Sequence, residues 1–220
     1  MPASILAWPS CQTGGVQSPH ERLAEARLYL VCDDQPDRFL VSALRGGVDV
    51  VQLRMKQASD AEILRVARRF ARTCRAHDAL FILNDRPDLV VEAEADGVHV
   101  GQEDVPVESA RGAVGSDRIV GLSTHNEEQI RAASGVDYIG VGPVHETPTK
   151  PGRPAVGLEL VGYAAAHAPV PFFAIGGLTV ENVATVRAAG ATRIAVVRAL
   201  TEASDPQVVA HRLRSVLTSG

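Results

Sequence analysis

The chain has 220 residues, 45% of them hydrophobic, with a formal net charge of −4 and 22% charged residues. That length supports one well-buried core and fits a single barrel-sized domain, and a mildly acidic balance offers no general attraction for nucleic acid or anionic lipid. No run of about 18 apolar residues is present, so no membrane span is expected. The opening stretch has no positive n-region and carries Pro9, Gly14 and Gly15, so no cleaved leader is expected. Cys11, Cys32 and Cys74 are odd in number and far apart. They form neither a disulfide framework nor a metal-binding pair, and a cytoplasmic setting with reduced thiols is expected.

Residues 1–26 lack clear periodicity and read as a partly disordered N-terminal extension, with a short helix around 21–26. From 27 to 220 the chain reads as one catalytic domain. Its apolar runs fall at 28–32, 48–55, 80–83, 96–100, 118–123, 138–142, 172–176 and 193–197. Between them lie amphipathic stretches, among them 60–77, 107–114, 127–133, 158–166 and 180–188, and a last helix spans 206–217. Strands alternating with helices imply βαβ units, a parallel sheet and one winding hand. Eight such repeats close into a single (β/α)8 TIM barrel. An open doubly wound sheet fits less well, because Asp33-Asp34-Gln35-Pro36 stands after the first strand in place of a glycine-rich fingerprint.

In such barrels chemistry gathers at the carboxyl ends of the strands. The second strand ends Gln52-Leu53-Arg54-Met55-Lys56, and period-two alternation puts Gln52, Arg54 and Lys56 on one face. Facing the barrel mouth, two cations and an amide would pair with a polyanion. Only two of the 22 basic residues are lysines, Lys56 and Lys150, and both fall on the expected rim. Asn84 and Asp85 end the third strand, and Asp104 follows the fourth. Two aspartates on neighbouring strand ends suit Mg²⁺, which is held by one or two carboxylates and completed by phosphate oxygens and water. A helix cap at Asp85 and a turn at Asp104 are the plain alternatives. Ser123 ends the fifth strand, where Ser-Thr-His-Asn-Glu also reads as a helix start. His99 and His125 are expected to be structural, or to support site residues from behind, rather than to bind metal. The long 143–156 loop, with Thr147, Pro148, Thr149 and Lys150, reads as a lid over an anion. Gly176-Gly177 and Val197-Arg198 end the last two strands, where these barrels commonly cradle a phosphate.

With these residues assembled, the chain resembles the thiamine-phosphate synthase family over roughly residues 27–217. The resemblance is carried by QLRMK (52–56), NDR (84–86), DGVHVGQED (96–104), GLSTH (121–125), DYIGVGPVHETPTK (137–150) and AIGG (174–177). It implies a transferase of thiamine biosynthesis that joins two small-molecule substrates, a pyrimidine pyrophosphate and a thiazole phosphate, with Mg²⁺ as cofactor. By this resemblance Gln52, Leu53, Arg54, Met55, Lys56 and Asn84 match positions for the pyrimidine pyrophosphate. Asp85 and Asp104 match the Mg²⁺ ligands, while Ser123 and Lys150 match further contacts to the pyrimidine substrate and its pyrophosphate. Arg54, Lys56, Ser123 and Lys150 are the implied catalytic set. Thr147, Pro148 and Thr149 match the thiazole phosphate stretch, and Gly177, Val197 and Arg198 match its phosphate cradle. Arg198 departs from the family, where a small residue is frequent. A thiazole tautomerase using His125 and a non-catalytic sensor of thiazole or thiamine phosphates are the alternative readings. A homo-oligomer is compatible with the sequence.

Overall fold

A computed structural model describes residues 17–147 and 154–218. Eight parallel strands close on themselves in chain order: β1 Leu28–Cys32, β2 Val50–Leu53, β3 Leu80–Asn84, β4 Gly97–Val100, β5 Ile119–Thr124, β6 Tyr138–Val141, β7 Phe172–Ile175 and β8 Ile194–Val196. The (β/α)8 barrel expected from the alternation is the fold observed. Helices surround it: α1 Pro19–Glu25, α2 Asp37–Arg45, α3 Asp60–Arg75, α4 Val107–Val114, α5 Glu127–Ala132, α6 Gly157–His167, α7 Val183–Ala188, α8 Arg198–Thr201 and α9 Pro206–Thr218. The regular alternation lapses between β3 and β4, where a 3-10 turn, Pro87–Leu89, replaces a full helix.

Local chemistry starts several of these helices. Ser18 and Ser59 each accept from the backbone N–H three residues on, and Glu21 and Glu62 reach back to them, so α1 and α3 begin in capping boxes. Ahead of β1, α1 packs Leu23 against the closed barrel floor, and Leu23 and Ala26 join the inner cluster.

The strands bury both faces. One face meets the helices through residues such as Leu30, Val51, Leu53 and Leu83. The other fills the barrel interior with Tyr29, Val50, Leu80, Ile82, Ile119, Tyr138 and Phe173. Bulk on some strands is matched by its absence on others. A Cβ on Gly121 would lie 2.1 Å from the Tyr138 ring, so β5 must be bare there for that ring to cross the interior. Tyr29 and Tyr138 both meet Phe173 edge-on, with centroids 5.2 and 5.5 Å apart.

At the amino ends of the strands, aspartates lock the barrel at three places. Asp49, Asp96 and Asp137 stand just before β2, β4 and β6. Each accepts from the backbone of the preceding strand: Asp49 from Leu28 N–H at 3.0 Å, Asp96 from Phe81 at 2.8 Å and Asp137 from Val120 at 2.7 Å. Each also pairs with an arginine, respectively Arg214, Arg22 and Arg111. Asp49 additionally accepts from Arg27 N–H at 2.8 Å. Asp49→Ala removes the acceptor of two backbone N–H groups and the carboxylate partner of Arg214, which keeps its hydrogen bond to the Gly47 carbonyl. It is expected to cost about 2–4 kcal/mol, read as a lower urea midpoint.

Candidate active site

One pocket opens at the carboxyl ends of the strands, and it gathers residues from nearly every strand end. From β2 come Gln52, Arg54 and Lys56. Leu53 and Met55 behave differently, because the alternation that turns Gln52 inward turns them out. Leu53 is 1% exposed within the helix-facing core, and Met55 packs against that core. Their side chains therefore do not line the pocket, and only the main chain of these two residues remains for a ligand.

Asn84 and Asp85 enter the pocket from β3. Asp85 has φ +59, a left-handed conformation that non-glycine residues adopt rarely and that recurs at functional sites. It does not cap a helix. Its Oδ2 instead lies 2.9 Å from Lys56 Nζ. The turn that carries it is held by Arg86, which donates to Asp60 at 2.6 Å and to Asp88 at 2.7 Å. Those hydrogen bonds hold both carboxyls below the usual carboxylate range. A depressed folded-state value contributes stability above the unfolded value, near pH 4, and that contribution fades as pH falls through the folded value. Arg86→Gln is therefore expected to give a shallower acid limb in a plot of urea stability against pH.

Asp104 reaches the pocket from the loop after β4, and its Oδ2 accepts from Gly101 N–H at 2.9 Å. A side chain at Gly101 would meet that oxygen at 2.5 Å, so the glycine lets the carboxylate fold back toward the strand end. Asp104 thus takes part in a turn and faces the pocket as well. Among the described residues no three His, Cys, Asp or Glu side chains cluster as a metal cage. A pair of carboxylates with hard oxygen donors beside lysine and arginine matches the demands of a Mg²⁺–phosphate complex.

Ser123 lines the pocket from β5, and its Oγ is 2.9 Å from His99 Nε2. His125 sits further along the same edge and is tied through Nδ1 to the Gly142 carbonyl. Thr147 lies on the pocket wall, whereas Pro148, Thr149 and Lys150 lie outside the described residues. The loop carrying them is anchored at its start by Val144 N–H donating to Ile175 O at 2.9 Å and His145 N–H donating to Gly176 O at 3.1 Å. Gly176 and Gly177 have φ +114 and +63, and a Cβ on Gly177 would meet the His145 Cβ at 2.8 Å. The glycine pair thus lets the β7 end and the loop after β6 close on each other. Gly177, Val197 and Arg198 all reach the pocket, and α8 begins directly at Arg198. The Arg198 guanidinium is half exposed at the rim, 4.0 Å from Glu202.

The thiamine monophosphate synthase family profile matches residues 28–200, most of the chain. The chain belongs to the thiamine monophosphate synthase family. It is 50% identical over 206 residues to a thiamine-phosphate synthase of Acidothermus cellulolyticus, covering 90% of this chain and 97% of that one. It is 48% identical over 202 residues to a thiamine-phosphate synthase of Nostoc punctiforme. That match takes in 90% of this chain and only 58% of the Nostoc protein, so this chain spans less than two thirds of that relative. Among solved structures, a thiamine phosphate pyrophosphorylase from Pyrococcus furiosus superposes with a TM-score of 0.80 at 31% identity, covering 88% of this chain and 96% of that one.

For this thiamine monophosphate synthase family member, sequence reasoning missed Tyr29 and Tyr138, which form the pocket floor together with His99. In the sequence they are two aromatics inside apolar strand runs, and the chain offers no sign that they touch. Parity along β1 and β6 puts both in the barrel interior, but their contact follows only from closure.

Proposed function

We propose that this chain joins 4-amino-2-methyl-5-hydroxymethylpyrimidine pyrophosphate to 4-methyl-5-(2-phosphoethyl)thiazole, or its carboxylated form, giving thiamine phosphate and pyrophosphate. The observation that carries this reading is one pocket in which Arg54 and Lys56 stand beside the carboxylates Asp85 and Asp104. That combination suits a metal-bound polyphosphate, while Gly177, Val197 and Arg198 on the β7 and β8 ends suit a second, monophosphate group.

Pyrophosphate departs with both electrons of the carbon–oxygen bond, and the thiazole nitrogen supplies the pair for the new carbon–nitrogen bond. No protein nucleophile is needed. The protein stabilises the charge that grows on the departing oxygen and holds the second substrate in line. Asp85 and Asp104 would hold Mg²⁺, which when bound supplies positive charge against the pyrophosphate oxygens. Arg54 and Lys56 add fixed cations beside it, and Lys150 is assigned the same work from its sequence match. Ser123 and Gln52 provide polar contacts to the pyrimidine side. With the thiol of Cys32 buried and held mostly protonated by that burial, the described part of the chain brings no competing thiolate to this mouth.

Purified protein given both substrates and Mg²⁺ is expected to release pyrophosphate, to stop when either substrate is omitted, and to stop with EDTA. Binding of both ligands without release would overturn the assignment and favour a sensor.

A further inference from the structure

Five polar side chains from five strands form one continuous hydrogen-bonded chain across the pocket floor. Gln52 Nε2 donates to Tyr29 Oη at 2.7 Å, and Tyr29 Oη is 2.8 Å from Tyr138 Oη. Tyr138 Oη is 3.0 Å from His99 Nδ1, and His99 Nε2 is 2.9 Å from Ser123 Oγ. Gln52 is 4% exposed, and Tyr29 and Tyr138 are 2% and 1% exposed, so water does not compete for these groups. Burial raises both phenol pKa values, so each keeps its proton.

With Gln52 turned so that Nε2 faces Tyr29, the direction of the chain follows from counting protons. The Gln52 amide N–H can only donate, so Tyr29 accepts from it. If Tyr29 also accepted from Tyr138, the Tyr29 proton would be left without an acceptor in a buried site, which is costly. Tyr29 therefore donates to Tyr138, and Tyr138 donates to His99 Nδ1. A neutral imidazole that accepts at Nδ1 carries its proton on Nε2, and that proton goes to Ser123 Oγ. The Ser123 proton then remains for the pocket. Chained hydrogen bonds reinforce one another, so the polarity is set along the whole line.

We infer that Tyr29, Tyr138 and His99 are positioning residues that present Ser123 to the pocket as a hydrogen-bond donor and lock the Gln52 amide in one orientation. A free hydroxyl rotates, and a free glutamine amide flips. Here both are oriented before a ligand arrives, so less reorganisation remains when charge moves in the pocket. The two ends of the chain, Gln52 and Ser123, are the groups read above as contacts to the pyrimidine substrate. The kinetic consequence rests on that reading, whereas the imidazole tautomer does not.

The test uses the full chain labelled with ¹⁵N-histidine, the His99 signals being identified by their loss in His99→Gln. The wild type is expected to show His99 protonated at Nε2 and bare at Nδ1. In Tyr138→Phe, where Nδ1 loses its donor, that single tautomer should give way to a mixture. The same variant should lose about ten- to hundredfold in kcat/KM for the pyrimidine pyrophosphate while KM for the thiazole phosphate stays within about twofold. A structural role alone would lower the melting temperature and leave tautomer and kinetics unchanged, which overturns the inference. A wild-type His99 protonated at Nδ1 overturns it outright. If the wild type turns over no substrate, the synthase assignment fails and the tautomer still decides the relay. If Tyr138→Phe does not fold, the wild-type spectrum decides the polarity. Tyr29→Phe then supplies the kinetic comparison, with unchanged kcat/KM counting against the relay.

Discussion

Lys56→Ala is expected to lower the rate of pyrophosphate release by about 10²–10³-fold, the loss that follows removal of one well-placed electrostatic stabiliser. Lys56 Nζ is 2.9 Å from Asp85, and its side chain is 44% exposed. At that exposure the ion pair contributes at most about 1 kcal/mol to folding. The variant should therefore melt close to the wild type, and the lost rate is then a property of the site. Lys56→Arg is expected to recover only part of the rate, because a planar guanidinium does not reproduce a compact ammonium. This chain uses arginine for nearly every other positive charge, so arginine at 56 is a fair control. Initial rates at saturating substrate, set beside melting curves, decide it. Near-normal turnover in Lys56→Ala would remove this lysine from the chemistry.

Asp85→Asn is expected to reduce turnover by a similar factor, about 10²-fold or more, and to raise the Mg²⁺ concentration needed for half-maximal rate. Asparagine is the informative choice because Asp85 sits at φ +59, where Asn is tolerated and most other side chains are strained. The substitution removes charge while keeping the backbone. It also releases Lys56 from its partner, so a pure loss of the ion pair predicts unchanged Mg²⁺ dependence. Titrating Mg²⁺ in the pyrophosphate assay separates the two effects. An unshifted Mg²⁺ curve would assign the metal to other groups.

Much of this was legible in the sequence, for particular reasons. Val107–Val114 was readable to the residue because its apolar spacing is helical and a proline stands just ahead of it. Gln52, Arg54 and Lys56 were readable as one face because side chains on a strand alternate, and Asp85 and Asp104 because polar residues punctuate the ends of apolar runs. The same alternation, applied strictly, also excludes the Leu53 and Met55 side chains from the pocket. They entered the candidate set through the family match of the whole QLRMK run, which does not distinguish main-chain from side-chain contacts. The helix Asp37–Arg45 was not among the stretches named, although Pro36 stands ahead of it just as Pro106 stands ahead of Val107–Val114.

Local order, then, was the sequence's own: which stretches are strands and helices, that they alternate, and that the charged residues cluster where strands end. Those features depend on spacing of 2 or 3.6 residues and on neighbours in the chain. Closure of the barrel decided the rest. Gln52, Tyr29, Tyr138, His99 and Ser123 come from β2, β1, β6, β4 and β5, and Tyr29 and Tyr138 are 109 positions apart in the chain yet 2.8 Å apart in space. The bare backbone at Gly121 that admits the Tyr138 ring is likewise a cross-strand fact. So is the pairing of Asp49 with Arg214. Contacts of that kind have no periodic trace in one chain, because they arise only when the first strand meets the eighth and every interior side chain must share one enclosed space.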